Sequence, residues 1–122
     1  MEVCIFCEII KGKIDSKKVF ENNEILAFKD IHPLAPVHVL IIPKKHIPSI
    51  NEVNNPDDVQ LLGDMIVAAR DIARELKIAD DGYKLLFRTG KHGGQEVDHI
   101  HLHLIGGAAL HEEIRPLEVD WK

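Results

Sequence analysis

The sequence contains no apolar run approaching the roughly 20 residues that a membrane-spanning helix requires, which excludes a helical membrane protein. No basic leader precedes an apolar stretch at Met1-Glu2-Val3-Cys4, so no secretory signal is read there. Basic tracts of five or more are also absent, and 15 Lys+Arg stand against 20 Asp+Glu for a formal net charge of −5. A nucleic-acid groove needs a concentrated basic footprint, so nucleic acid is not an expected partner. A small anion stays possible, because a few aimed donors hold a phosphate whatever the net charge. Cysteine is scarce: Cys4 and Cys7 are too few and too close for a disulfide framework and read as reduced thiols of a cytoplasmic protein. There is no internal repeat and no low-complexity linker. What remains is 122 residues, 45% hydrophobic and 29% charged, the composition of one soluble domain.

Local pattern predicts an α+β fold. Apolar residues at 5, 6, 9 and 10 have helical spacing, and Gly12 ends that run. Val19-Phe20, the turn pair Asn22-Asn23 and Ile25–Phe28 read as a β-hairpin, and His38–Ile42 as a third strand ended by Pro43. Asn55 is an N-cap with Pro56 at the first helical position and Asp57 and Asp58 at the positive end of the dipole. Leu62, Met65, Ile66, Ala69, Ile72, Ala73 and Leu76 then form the apolar stripe of a long helix. Asp81-Gly82 turns into a strand over 83–88, and a glycine-rich loop, Gly90 to Gly94, leads to a last strand ending at Ile105. The expectation is a mainly antiparallel sheet of about five strands, one long helix and a short N-terminal helix. Residues 1–107 form the domain and 108–122 its C-terminal tail, with the lone Trp121.

Histidine is the unusual abundance. Eight are present, and six fall at 32, 38, 46 and 99, 101, 103. In Asp98-His99-Ile100-His101-Leu102-His103-Leu104 a strand would send Ile100, Leu102 and Leu104 to one face and the histidines to the other. Same-face neighbours are about 6.7 Å apart, so adjacent imidazoles can flank one phosphate. An amphipathic strand with a merely solvated polar face would be served as well by Thr, Lys or Gln. Neutral imidazole is nucleophilic near pH 7 and can form a covalent intermediate. Gly93-Gly94-Gln95 adds an anion site: the glycines open the backbone N–H groups to a phosphate, and Gln95 offers an amide donor.

His99-Ile100-His101-Leu102-His103-Leu104-Ile105 resembles the His-φ-His-φ-His-φ-φ signature of the histidine triad family. Phe28-Lys29-Asp30-Ile31, the stretch Pro36 to Ile47 and Gly93-Gly94-Gln95 match it in order and spacing, and the likeness runs from about Cys4 to Gly107. It is greatest to the Hint-like, nucleotide-binding branch. The resemblance implies hydrolysis of purine nucleoside 5′-phosphoramidates, with His101 attacking the α-phosphorus to form a nucleotidyl-histidine that water cleaves. His103 would contact phosphate and assist the leaving group, His99 would orient His101, and His38 would support the network. Gln95 and the backbone at Gly94 and Glu96 would bind phosphate oxygens. Asp30 would take the ribose hydroxyls, and Ile5, Phe6, Ile9, Phe28 and Ile31 would wall the base. Arg88 stands where many relatives carry a phosphate-contacting Asn, and Glu96 replaces a Ser/Thr-type donor; Arg88 either serves phosphate or pairs with Glu96, whose carboxylate is unfavourable beside a phosphate unless only its backbone N–H is used. A homodimer with one continuous sheet, built through the long helix and the 83–89 strand, is also implied, with Trp121 reaching the partner's site.

Cys4-Ile5-Phe6-Cys7 has the C-x-x-C spacing that places two thiolates on one metal. A redox pair is the rival, but nothing around it reads as a thioredoxin-like βαβ unit. The resemblance implies that His46 and His99 complete a structural Zn²⁺ site, since some bacterial members carry zinc at equivalent positions. Two other functions fit the same residues: a zinc-stabilised nucleotide-binding module with little turnover, and a dinucleoside polyphosphate hydrolase or nucleotidylyl transferase of a sister branch. His32 and His92 read as solvent-facing, and Lys44 and Lys45 as a solvated strand end.

Overall fold

A computed structural model describes residues 3–117; Trp121 lies outside the described residues. The elements are α1 (Ile5–Ile10), β1 (Lys18–Glu21), β2 (Ile25–Lys29), β3 (Val37–Pro43), a 3₁₀ turn (Ile50–Glu52), α2 (Pro56–Glu75), β4 (Tyr83–Phe87) and β5 (Leu102–Gly106). The five strands make one sheet in the order β1-β2-β3-β5-β4, every neighbouring pair antiparallel. No helix among the described residues is long and apolar enough to cross a membrane.

Strand alternation divides the sheet into two apolar faces. Ile25 and Ala27, Val39 and Ile41, and Leu102 and Leu104 are buried with Met65, Ala69, Ile72 and Ala73 of α2. Leu26, Phe28, Leu40 and Ile42 face the other way and pack with Phe6 and Ile9 of α1. The long helix therefore covers one face, while the short helix leaves part of the other open.

Helix α2 starts as its cap residues dictate. Asn55 Oδ1 accepts from the Asp58 N–H at 2.8 Å, and Asn55 Nδ2 donates to Asp58 Oδ2 at 3.1 Å. Such a cap contributes about 1 kcal/mol. Lys45 Nζ donates to the buried Asp58 at 2.8 Å and ties the helix start to the end of β3; Lys44 pairs with Glu21 at 2.8 Å. The two lysines thus form ion pairs rather than a purely solvated strand end. The helix seam is also rotated from the expected stripe: Leu61 and Ala68 are buried, while Ile66 is 46% exposed. At 100° per residue Ile66 lies well to the side of the Met65–Ala69–Ile72 line, outside the sheet's reach. The β1–β2 turn is longer than the expected pair, because Asn22 Oδ1 accepts from the N–H groups of both Glu24 and Ile25, at 2.9 and 2.8 Å.

Candidate active site and adjoining metal-ligand cluster

A cavity of ≈ 660 Å³ opens on the face of the sheet that α1 leaves uncovered. That size lies in the range typical of small-molecule sites. Its contents follow the strand order. Over β2 lie Phe28 and, just past the strand end, Asp30 and the exposed Ile31; β3 contributes His38, β5 contributes His103, and Arg88 follows β4. Helix α1 supplies Ile5, Phe6 and Ile9 along one wall, and the loop before β5 supplies Gly94, Glu96 and His101. Phe6 meets Phe28 edge-on at 5.7 Å between ring centroids and His101 edge-on at 5.0 Å. Leu40 was legible on the same face as His38, two residues away. Ile14 and Ser16 also border the cavity; they come from the aperiodic loop after α1, and no sequence pattern marks them. His32 is exposed but stands on the rim, its N–H donating to Asp30 Oδ1 at 2.8 Å.

The three histidines do not share one strand. Laddered structure begins at Leu102, so His99 and His101 precede β5. The Ile100 N–H donates to Ile47 O at 2.7 Å, pulling this stretch toward the loop after β3. His99 is fully buried and absent from the cavity lining; its ring lies edge-on to Phe6 and to His46. Of these three, His101 and His103 line the cavity.

Hydrogen bonds to unambiguous partners assign the protons. His101 Nδ1 stands 2.8 Å from His99 O, an acceptor only, so Nδ1 carries the proton and Nε2 keeps its lone pair. The Leu34 N–H donates to His38 Nδ1 at 3.1 Å, which puts the His38 proton on Nε2. That proton faces His103 Nδ1 at 2.9 Å and Asp30 Oδ2 at 3.3 Å. His103 Nδ1 therefore accepts, and its own proton sits on Nε2, 3.1 Å from Arg88 Nη1. A guanidinium has only protons to offer, so two N–H groups confront each other. An anion set beside the pair, within hydrogen-bond reach of each nitrogen, would accept from both.

Burial and cationic neighbours keep these rings neutral. Burial is the main cause that lowers His38, His99 and His101 from the ordinary imidazole value. His103 falls to about 3, through burial first and then His101, Arg88 and His38.

The glycine-rich loop differs from expectation. The N–H groups of Gly93, Gly94 and Gln95 donate to Gly90 O, Lys91 O and Gly90 O at 3.1–3.2 Å, within the loop itself. Gln95 Nε2 donates to Pro48 O at 2.7 Å and Val97 O at 2.9 Å, and Oε1 accepts from the Gly90 N–H at 2.9 Å. Its amide is thus fully engaged by the protein, and Gln95 is not in the cavity lining; it holds the loop instead of offering a donor to a ligand. The glycines have their own reasons: a Cβ on Gly93 would fall 2.3 Å from Thr89 O, and Gly94 has φ +79°. No Arg88–Glu96 ion pair forms among the described residues; Arg88 turns to His103 instead.

Behind the cavity, Cys4, Cys7, His46 and His99 converge with one donor atom each, all within 4.8 Å of one another. Cys4 Sγ–His99 Nδ1 and Cys7 Sγ–His46 Nδ1 are both 3.3 Å, Cys7 Sγ–His99 Nδ1 is 3.6 Å, and the two Nδ1 atoms are 3.2 Å apart. The C-x-x-C spacing works here because Cys4 caps α1, its Sγ accepting from the Cys7 N–H at 3.3 Å, so both thiols project from the first turn. His99 Nε2 donates to Pro43 O at 2.8 Å, leaving Nδ1 unprotonated and aimed into the cluster. Burial and the neighbouring Cys4 thiol push the Cys7 thiol up to about 11.

Comparison with known proteins places this geometry. Residues 3–113 match the family model described as "Scavenger mRNA decapping enzyme C-term binding". The purine nucleoside phosphoramidase of Escherichia coli (strain K12) is 49% identical over 109 residues, which is 89% of this chain and 91% of that protein. A HIT family hydrolase from Legionella pneumophila Philadelphia 1 superposes with a TM-score of 0.84 at 50% identity, covering 88% of this chain and 95% of the other. A histidine triad protein from Clostridium difficile gives 0.87 at 37% identity, with 93% and 100% covered. With its buried histidines set beside an open cleft on a five-stranded antiparallel sheet, the chain belongs to the histidine triad family.

Proposed function

We propose that this protein, a HIT family hydrolase, cleaves purine nucleoside 5′-phosphoramidates by way of a nucleotidyl-histidine on His101. The observation that carries the reading is the His101 tautomer: with Nδ1–H held by His99 O, the Nε2 lone pair is free beside the cavity. The E. coli purine nucleoside phosphoramidase, similar over nine-tenths of this chain, supports the substrate class. The purine lies between Phe6, Ile9 and Phe28, and Asp30 accepts the vicinal ribose hydroxyls. Nε2 attacks the α-phosphorus; the P–N bond breaks with its electron pair going to the amine, which takes up one proton relayed from solvent by His103. Water then attacks phosphorus, the bond to His101 breaks, and the proton that water releases restores the balance. Nucleoside monophosphate and amine are the products.

The four-donor cluster fits zinc in this reading. Tetrahedral geometry at ordinary Zn–S and Zn–N lengths requires edges of about 3.3–3.8 Å, close to those between Cys4, Cys7, His46 and His99. Four protein donors make a closed, structural site, which would fasten α1 to the sheet and hold His99 so that its carbonyl orients His101. A homodimer belongs to the same proposal: β4 is a sheet edge, and Val59, Ile66 and Val67 of α2 are 46–61% exposed.

The test is amine release from adenosine and guanosine 5′-phosphoramidates by the protein and by His101→Gln. The expected result is a loss of about 10⁴-fold or more in kcat with nucleoside monophosphate still bound. Equal rates would refute His101 as nucleophile. Absence of turnover in both, with nucleotide binding intact, would favour the zinc-stabilised binding module.

A further inference from the structure

Cys4 and Cys7 carry a chemistry that nucleotide cleavage does not use. Residues three apart on the first turn of a helix have Cα atoms about 5 Å apart, inside the window a disulfide accepts. The two Sγ atoms already lie within 4.8 Å of each other, and the Cys7 N–H donates to Cys4 Sγ at 3.3 Å. Both thiols are free and half-buried. Side-chain rotation therefore suffices to close an S–S bond with the backbone of α1 in place.

A smaller cavity, of ≈ 270 Å³, gives access to the pair. Cys4 and His46 line it, together with the exposed carboxylates of Glu96 and Asp98. Cys7 is not part of the lining, so Cys4 is the sulfur that an incoming molecule meets first. The volume falls below the range typical of drug-sized ligands, and the two carboxylates repel an anion. Hydrogen peroxide, small and neutral, meets both conditions; glutathione disulfide, bulky and negatively charged, meets neither.

We propose that Cys4 and Cys7 form a peroxide-sensitive dithiol whose oxidation to an intramolecular disulfide dismantles the four-donor cluster and weakens the nucleotide cleft. Cys4 Sγ attacks one peroxide oxygen and the O–O bond breaks, leaving a sulfenic acid on Cys4. The departing hydroxide becomes water with a proton from the thiol or, where metal holds a thiolate, from solvent. Cys7 Sγ then attacks the Cys4 sulfur, the S–O bond breaks, and the hydroxyl leaves as a second water with a proton from the same source. The two sulfurs together give up two electrons, which reduce one peroxide to two waters. The disulfide leaves His46 and His99 as the remaining donors, too few for a closed zinc site. Helix α1, which carries Ile5, Phe6 and Ile9, thereby loses its tie through the thiols to His99, the residue whose carbonyl holds His101. The zinc consequence rests on the metal-site reading, whereas disulfide formation does not.

The experiment treats the unmutated protein, loaded with zinc and then stripped of it, with hydrogen peroxide or with glutathione disulfide. Thiol titration, peptide mass mapping and zinc release to a chromogenic chelator are followed. Peroxide should remove both thiols, join Cys4 to Cys7 within one chain and free the zinc, and a phosphine reductant should reverse the change. Glutathione disulfide should react at least about tenfold more slowly at low salt, a gap that narrows as salt screens Glu96 and Asp98. In Cys7→Ser, dimedone should trap a sulfenic acid on Cys4. Nucleoside monophosphate affinity should fall on oxidation as far as it does on chelation. Thiols that persist where peroxide oxidises dithiothreitol overturn the inference, as does a disulfide formed between chains. Equal rates for the two oxidants overturn the assignment of peroxide, and an unchanged nucleotide affinity overturns the link to the cleft. No readout uses phosphoramidate turnover, so each of these failures leaves the phosphoramidase reading standing.

Discussion

Replacing His46 with alanine tests the proposed zinc site. His46 is an exposed member of the four, so its removal costs the metal-free protein little, within the usual range of a surface change. With zinc at 1,000 times its Kd, binding to the folded state alone stabilises by about 4 kcal/mol. Losing one of four ligands weakens binding by at least about 100-fold, which leaves about 1.4 kcal/mol at the same zinc concentration. The difference, about 2.7 kcal/mol, corresponds to a fall in Tm of about 10 °C for a domain of this size. Thermal unfolding followed by circular dichroism, with zinc and then with a chelator, reads it directly. The two proteins should differ in zinc and coincide in chelator, and metal analysis should find one zinc per chain in the unmutated protein. Nucleoside monophosphate affinity should fall with the metal, because α1 carries both Cys4's neighbours and the base wall residues Ile5, Phe6 and Ile9. A chelator-insensitive Tm in the unmutated protein would refute the reasoning.

Three further outcomes follow from packing and protonation. His103, held near 3 when folded, is neutral in the native state where the unfolded chain takes up a proton, so stability is full above the unfolded pKa and declines as pH falls from about 6.5. Between pH 6.5 and 5 the loss is about 2 kcal/mol, to which His38 adds in the same direction; urea unfolding in chelator at both pH values measures it, and His103→Gln should flatten the dependence. Phe6→Ala removes a buried ring that packs on both Phe28 and His101, costing about 3–5 kcal/mol and raising KM, measured by denaturation and steady-state kinetics. Light scattering at micromolar concentration should report a dimer that Ile66→Glu dissociates; a monomer before mutation would remove the dimer from the proposal.

Periodicity and capping made the long helix and most strands legible, because Asn55, Pro56 and the alternation in β3 and β5 act over a few residues. The apolar seam was less so: Leu62 and Ile66 belong to the helix's hydrophobic pattern, but which 100° of it meets the sheet depends on how the helix lies. The candidate site was legible where type and spacing carry chemistry, as with the histidines, Asp30 and the C-x-x-C pair. Ile14 and Ser16 were invisible, since an aperiodic loop shows nothing about where it folds back. The place of Gln95 was not legible for a related reason: an amide beside two glycines suits a ligand or a carbonyl equally well, and only the positions of Pro48 O and Val97 O decide between them.

The sequence by itself determined the residues able to do chemistry and the local geometry that short-range rules impose: an alternating histidine run, a capped helix, two thiols on one helical turn. Only the tertiary structure decided the division of labour among the histidines. His99 turns to the cysteines because Ile100 bonds Ile47 O and Pro43 O takes the His99 Nε2 proton; His101 and His103 remain at the cavity. It also decided that Arg88 turns to the His103 ring and not to a carboxylate. These outcomes rest on partners dozens of residues away along the chain, and a contact of that kind exists only once the sheet has brought the strands together.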